Sequence, residues 1–363
     1  MPLDVKEQDI AVFGESGSGK TVLVSSFFGP TTDPASSNDL WDLIADNAGQ
    51  GARLTQNYLG MKNSSRTPPA TRFASTTYSF TLRLTGGQRN QRLQGLRLGW
   101  HDYPGEWFHE DPSSEEENTR RVETFRSLLG SDVAFLLVDG QKLLDHKGEE
   151  KRYLRALFSN FRQGMLRLQD EIVGDGGPLT RFPRIWIVAL SKADLFPDWD
   201  VHAFHDLVIE NAGDDLAKFL EAIKPMVAAP EALSVGEDFI LLSSAKFEIA
   251  AAGPEPVEID VQKQVGLDLI LPVAFMLPLE RIALWMEQTH IPTTLLRAFS
   301  EGAGGFANLL TENKHVVEAV LSMIPRIGPF PPGRRPPRSS RRPSSSMTIS
   351  KRRTPAHVRL GTT

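Results

Sequence analysis

The run AVFGESGSGKTVLV, residues 11–24, sets three glycines, a lysine and a threonine between two apolar stretches. Glycine costs order, so its use where a strand hands over to a helix implies that something approaches the backbone closely there. Gly14, Glu15, Ser16, Gly17, Ser18, Gly19, Lys20 and Thr21 have the spacing of a loop whose amide N–H groups cradle phosphates, with Val22 in the helix that follows. In such a loop Lys20 reaches the outer phosphates and the Thr21 hydroxyl ligates Mg²⁺. Chance assembly of a glycine-rich turn is the competing reading, and the full eight-residue match weighs against it.

Three further motifs follow, each after an apolar run. LRLGWHDYPGEW ends a strand in Asp102, at the sheet edge where open α/β folds bind ligands. Asp102 would hold Mg²⁺ through a water, and the Gly105 N–H would sense a terminal phosphate. Taken alone, D-x-P-G is only a turn. In ALSKADLF, Ser191-Lys192-Ala193-Asp194 matches N/T-K-x-D with serine in the first place. A carboxylate such as Asp194 accepts from both N1–H and N2–H₂ of guanine, donors that adenine lacks, while the Lys192 stem lies over the base. The structural alternative for Asp194 is a helix N-cap. LLSSAKF supplies Ser244, Ala245 and Lys246, with the Ala245 N–H directed to guanine O6.

The elements needed to hold these motifs are legible as periodicities. Buried parallel strands are expected over SDVAFLLVDG and RIWIVALSKAD, and a third over DFILLSSAK; an antiparallel hairpin is expected from TTYSFTLRL and RLQGLRLGWH. Helices are expected over NTRRVETFRSLLG, EEKRYLRALFSNFRQGMLRLQDEI and AFHDLVIENAGDDLAKFLEAI, and over SNDLWDLIADN behind a capping Ser or Asn. Strands alternating with helices give an α/β sheet layered by helices.

Bulk properties exclude several classes. The 363 residues are 40% hydrophobic and contain no cysteine, which rules out a disulfide framework and any thiolate metal site. The polar, acidic start carries no secretory signal, so a reducing, cytoplasmic setting is expected. The most apolar stretch, LDLILPVAFMLPLERIALWM, is broken by Asp268, Pro272, Pro278, Glu280 and Arg281 and reads as a buried helix. Nine of the 40 basic residues and none of the 45 acidic ones lie in 328–363, so an acidic body carries a basic tail.

In this order, the four motifs resemble the TRAFAC class of P-loop GTPases, which includes the Ras-like G proteins, over about Asp9 to Gln288. HDYPGEW looks like a bacterial branch of that class that includes GTPases of conflict (defence) gene systems. The resemblance implies an α/β P-loop G domain over 1–290, with a mostly parallel sheet, one antiparallel edge strand and helices on both faces. It also implies GTP/GDP and Mg²⁺ as ligands and a molecular switch with slow hydrolysis. An effector or activating protein would act on the switch regions. The class needs a switch-I threonine as a further Mg²⁺ ligand; Thr71 is the choice and Thr67 the alternative. Arg66 and Arg72 flank Thr71 and could supply an internal arginine finger, the alternative being solvated loop arginines. Where Ras-like members carry the water-orienting glutamine, this chain has Glu106. A carboxylate there accepts a proton from water but adds negative charge beside a triphosphate.

A helical extension is expected over 291–327 and a disordered Pro/Arg/Ser tail over 328–363. The tail suits anionic membrane, nucleic-acid phosphate bound nonspecifically, a polyproline groove, or no partner at all. Two other functions stay open: a scaffold that holds nucleotide with little turnover, motivated by Glu106, and an ATPase, motivated by Ser191.

Overall fold

The apolar run before the glycine loop forms strand β1 (Lys6–Phe13), and the loop ends in helix α1 (Lys20–Phe28). They belong to a computed structural model that describes residues 6–32, 41–69, 75–84, 96–108, 110, 112–174, 177–249, 256–271 and 273–274. The chain continues through β2 (Trp41–Ala45), α2 (Ala48–Ser64), β3 (Thr76–Leu84), β4 (Leu96–Asp102), α3 (Glu115–Leu129) and β5 (Val133–Asp139). Then come α4 (Gly140–Asp145), α5 (Glu150–Val173), β6 (Ile185–Ser191), α6 (Val201–Ile223), β7 (Ser234–Leu242), β8 (Lys246–Ile249) and β9 (Pro256–Asp260).

Seven strands form one sheet in the order β2-β3-β4-β1-β5-β6-β7, and β8 pairs with β9 as a separate antiparallel hairpin. Strands β4, β1, β5, β6 and β7 run parallel, whereas β3 is antiparallel to both of its neighbours. Alternate residues of each strand serve two separate cores. Ile10, Val12, Leu98 and Trp100 pack with Phe27 and Phe28 of α1 and Leu54 of α2. On the other face, Phe13, Leu136, Trp186 and Val188 pack with Phe125 of α3, Phe158 of α5 and Phe219 of α6. Strands β5 and β6 are buried along their whole length, which explains their unbroken apolar sequence. This parallel order brings the C-terminal ends of β1, β4, β5 and β6 to one sheet edge, and with them the glycine loop and the segments after Asp102, Asp139 and Ser191.

One element differs from expectation. Residues 41–45 form strand β2, not part of a helix, and the helix starts only at Ala48. Leu43 points into the core, while Asp42 and Ile44 on either side are exposed, an alternation of period two. The cap is Asn47, whose side chain accepts from the Gln50 N–H, at the far end of the run SNDLWDLIADN and not at its start. The antiparallel strand β3 therefore lies one place inside the sheet edge, which β2 forms.

Helix α3 starts on an acidic turn: Ser114 caps it and Glu115, Glu116 and Glu117 fill its first turn. Of the most apolar stretch, Leu267, Ile270, Leu271, Val273 and Ala274 are buried, as expected, and the remainder lies outside the described residues. So do the extension expected over 291–327 and the tail over 328–363. Among the described residues no helix is long and apolar enough to cross a membrane.

Candidate functional site

The glycine loop is held open by its backbone. Gly17 and Gly19 have φ of 82° and 86°, the left-handed region, and a Cβ on either would meet nothing within 4 Å. Gly19 caps α1 without a side-chain hydrogen bond, so the first N–H groups of that helix are not consumed by a cap. Lys20 is buried at the loop's mouth, its Nζ donating to the Gly14 carbonyl at 2.7 Å and the Glu15 carbonyl at 3.1 Å. Its Nζ also lies 5.2 Å from the centroid of the Tyr103 ring, and the Tyr103 hydroxyl accepts from the Gly14 N–H at 3.0 Å. Burial draws the Lys20 pKa down, opposed first by the Asp102 charge and then by Glu106 and Glu15. Outside the loop's cradle, the Glu15 carboxylate pairs with Lys142 of α4 at 2.8 Å.

Asp102 ends β4 and is paired in register with Thr76 of β3. The Thr21 hydroxyl donates to its Oδ2 at 2.9 Å, while its Oδ1 is buried with no hydrogen-bond partner among the described residues. Burial raises the Asp102 carboxyl pKa, and Lys20 is the largest influence lowering it. Three residues on, a Cβ on Gly105 would lie 2.2 Å from the Ser16 nitrogen and 2.3 Å from the Glu15 carbonyl carbon. Only glycine lets this turn approach the loop so closely. Glu106, next in the chain, accepts from the Ser16 hydroxyl through Oε1 at 2.8 Å, and its Oε2 is buried without a partner among the described residues.

The turn is anchored from behind by Arg121 of α3. Its guanidinium donates to the Trp107 carbonyl at 3.3 Å and to the Glu110 carbonyl, and pairs with Glu117 at 2.6 Å. Bonds from the Ser113 hydroxyl and N–H, and then from Arg121, pull the Glu117 carboxyl down to about 2. Trp107 packs on Phe125, and Trp100 belongs to the sheet core. His101 bonds Thr77 at 3.0 Å and lies 3.6 Å from Asp9, a role within the sheet; His109 lies outside the described residues.

At the other end of the site, Lys192 adopts φ 56° and its Nζ pairs with Asp139 at the end of β5, at 2.7 Å. The Ser191 hydroxyl donates to the Val138 carbonyl, tying β6 to β5. Asp194 accepts from the Ser243 hydroxyl at 2.6 Å through Oδ1 and from the Phe247 N–H at 3.2 Å through Oδ2. Its carboxylate is therefore fixed by the strand-end loop after β7 and does not act as a helix cap.

These groups share one cleft of about 630 Å³. Its walls include Ser16 to Thr21 with Val22, Asp102, Gly105, Ser191, Lys192, Asp194 and Ser244. Ala245 and Lys246 are not brought to it: Ala245 is fully buried, and Lys246 is turned outward toward Glu248 at 3.6 Å. Ser243 and Phe247, which no motif in the sequence singles out, do line the cleft. LLSSAKF contains two serines in succession, and only the end of β7 at Leu242 reveals which one leaves the strand first. Thr67, Pro68 and Pro69 close another wall, and Arg66 is exposed. Thr71 and Arg72 lie outside the described residues.

The family model described as Double-GTPase 2 matches residues 8–233. No curated protein matches the chain. Among solved structures, one similar chain comes from the signal recognition particle receptor SRb-GTP/SRX complex of Chaetomium thermophilum. The identity is 19%, covering 68% of this chain and 94% of that one, with a TM-score of 0.34. The family match ends before Ser243 and Phe247.

Proposed function

We infer that this chain, which belongs to the Double-GTPase 2 family and is therefore a GTP-binding P-loop protein, hydrolyses GTP slowly and works as a molecular switch. The observation that supports this most is the single cleft holding the glycine loop, the Thr21–Asp102 pair and Asp194 together. Phosphate-binding amides, a metal-side carboxylate and a base-reading carboxylate have no common structural use that would otherwise collect them.

The residues present fit a magnesium ion. The Thr21 hydroxyl and the Asp102 carboxylate are hard oxygen donors, and the buried Oδ1 has no partner among the described residues. Bound there with Thr71 or Thr67 as a further ligand, the ion would neutralise charge on the phosphates. The chain's own groups do the rest. Amides of residues 16–21 hold the phosphate chain, and Lys20 exchanges its two carbonyl acceptors for phosphate oxygens. Asp194 reads guanine, and Ser244, which lines the cleft where Ala245 does not, would offer its N–H to the base.

Glu106 is the residue that distinguishes hydrolysis from simple retention. Its carboxylate sits on Ser16, and Gly105 packs against the same residue's nitrogen. A terminal phosphate at the loop displaces this turn, and hydrolysis lets it return, which is the switching step. Once displaced, Glu106 can accept a proton from the attacking water. Single-turnover phosphate release from the wild-type chain and Glu106→Gln tests this. The expected outcome is release slowed by at least about 10-fold in Glu106→Gln, the low end of what a general base contributes. Equal rates remove Glu106 from the chemistry. Absence of release from either protein favours a nucleotide-holding scaffold, a reading motivated by the negative charge of Glu106 beside the phosphates.

A further inference from the structure

We propose that the Phe247 ring is the platform on which the purine base stacks in this cleft, with the Lys192 stem on the base's other face. The proposal rests on the guanine-binding reading and deepens it. Phe247 lines the cleft and is half-buried, and among the described residues no other aromatic ring stacks on it. Its backbone N–H donates to Asp194 Oδ2 at 3.2 Å, so the residue carrying the ring is tied directly to the carboxylate that reads the base edge. The edge reader and the face binder are thus placed as one unit.

The ring is also supported from behind. Phe247 pairs with Ile259 across the β8–β9 hairpin and packs against the small core of Tyr58, Met61, Ala245, Ile259 and Val261. A ring held in this way loses little further freedom when a base covers it, which is the condition for stacking to add affinity. Lys246, the residue the sequence suggested for this loop, faces Glu248 and leaves the position to its neighbour. Every base has a π-face, so stacking strengthens purine binding without choosing between guanine and adenine; the choice belongs to Asp194.

Titration calorimetry on the full chain separates stacking from packing, using Phe247→Leu and Phe247→Tyr with Mg²⁺-GDP and with Mg²⁺-pyrophosphate as a base-free probe. Stacking predicts that Phe247→Leu weakens GDP binding about 10–100-fold, that Phe247→Tyr stays within about threefold of wild type, and that pyrophosphate binds all three alike. Unchanged GDP affinity in Phe247→Leu overturns the stacking role alone. Parallel loss of GDP and pyrophosphate also overturns it, because the ring would then be serving the fold. A wild-type chain that binds pyrophosphate but not GDP overturns the guanine reading and this proposal with it.

Discussion

Lys20→Ala retains the fold and lowers affinity for Mg²⁺-GTP about 100-fold. The ammonium is buried against two loop carbonyls, and desolvation draws its pKa down. Truncating one partner of a buried, hydrogen-bonded charge pair costs about 2–5 kcal/mol, and about 1.4 kcal/mol is tenfold in affinity, so a loss on the order of a hundredfold is expected. The substitution also removes the largest influence holding the Asp102 pKa down. That carboxyl then rises further and is ionised less readily for a metal. Calorimetric titration measures the affinity and circular dichroism checks the fold; the thermal shift that GTP gives the wild type should vanish in parallel. GTP binding as tight as wild type would remove Lys20 from the phosphate site.

The second large effect is expected at the base. Asp194→Asn replaces one carboxylate oxygen with an N–H₂ group, so a donor faces the donors of guanine. The fold tolerates this because the Ser243 hydroxyl is a rotor. It now lies 2.6 Å from Asp194 Oδ1 and 2.8 Å from the Ala245 carbonyl, and it can donate to the carbonyl while accepting from the new amide. Affinity for GTP should fall by about 100-fold or more, since a site built to satisfy specific hydrogen bonds rejects mismatched ligands strongly. Xanthine carries an acceptor where guanine has its amino group, so XTP should lose much less and overtake GTP. Competitive titration with GTP and XTP checks the order, and an unchanged preference for GTP would mean that another group reads the base.

The phosphate half of the site was legible because its signal is local. Gly14 to Thr21 lie in one uninterrupted run, and the left-handed turns at Gly17 and Gly19 demand the residue type that the sequence shows. Asp102 and Gly105 were legible for a related reason: a close approach of backbone to backbone at Gly105 admits no side chain. The buried strands β5 and β6 announced themselves through unbroken apolar runs. Strand β2 did not, because five residues offer too short a window to separate period two from period 3.6, and Asp42 and Ile44 gain their meaning only from pairing with β3.

Which residues of LLSSAKF face the cleft was not legible, for a different physical reason. Ser243 and Ser244 are chemically alike, and what separates them is where β7 stops hydrogen-bonding, a property of the sheet rather than of the heptapeptide. Phe247 carried no sequence signal because its position depends on the β8–β9 hairpin and on α2, which is distant in the chain. The Lys192–Asp139 and Lys142–Glu15 pairs join segments 53 and 127 residues apart and could not be inferred from spacing.

The proposed function requires one cleft to grip a triphosphate with backbone amides and to recognise guanine with Asp194. Calorimetric titration of the full chain with GTP and with ATP, each in excess Mg²⁺, addresses it most directly. One site per chain is expected, with GTP affinity at least about 100-fold above that for ATP. Equal affinities, or no heat of binding with either nucleotide, would contradict it.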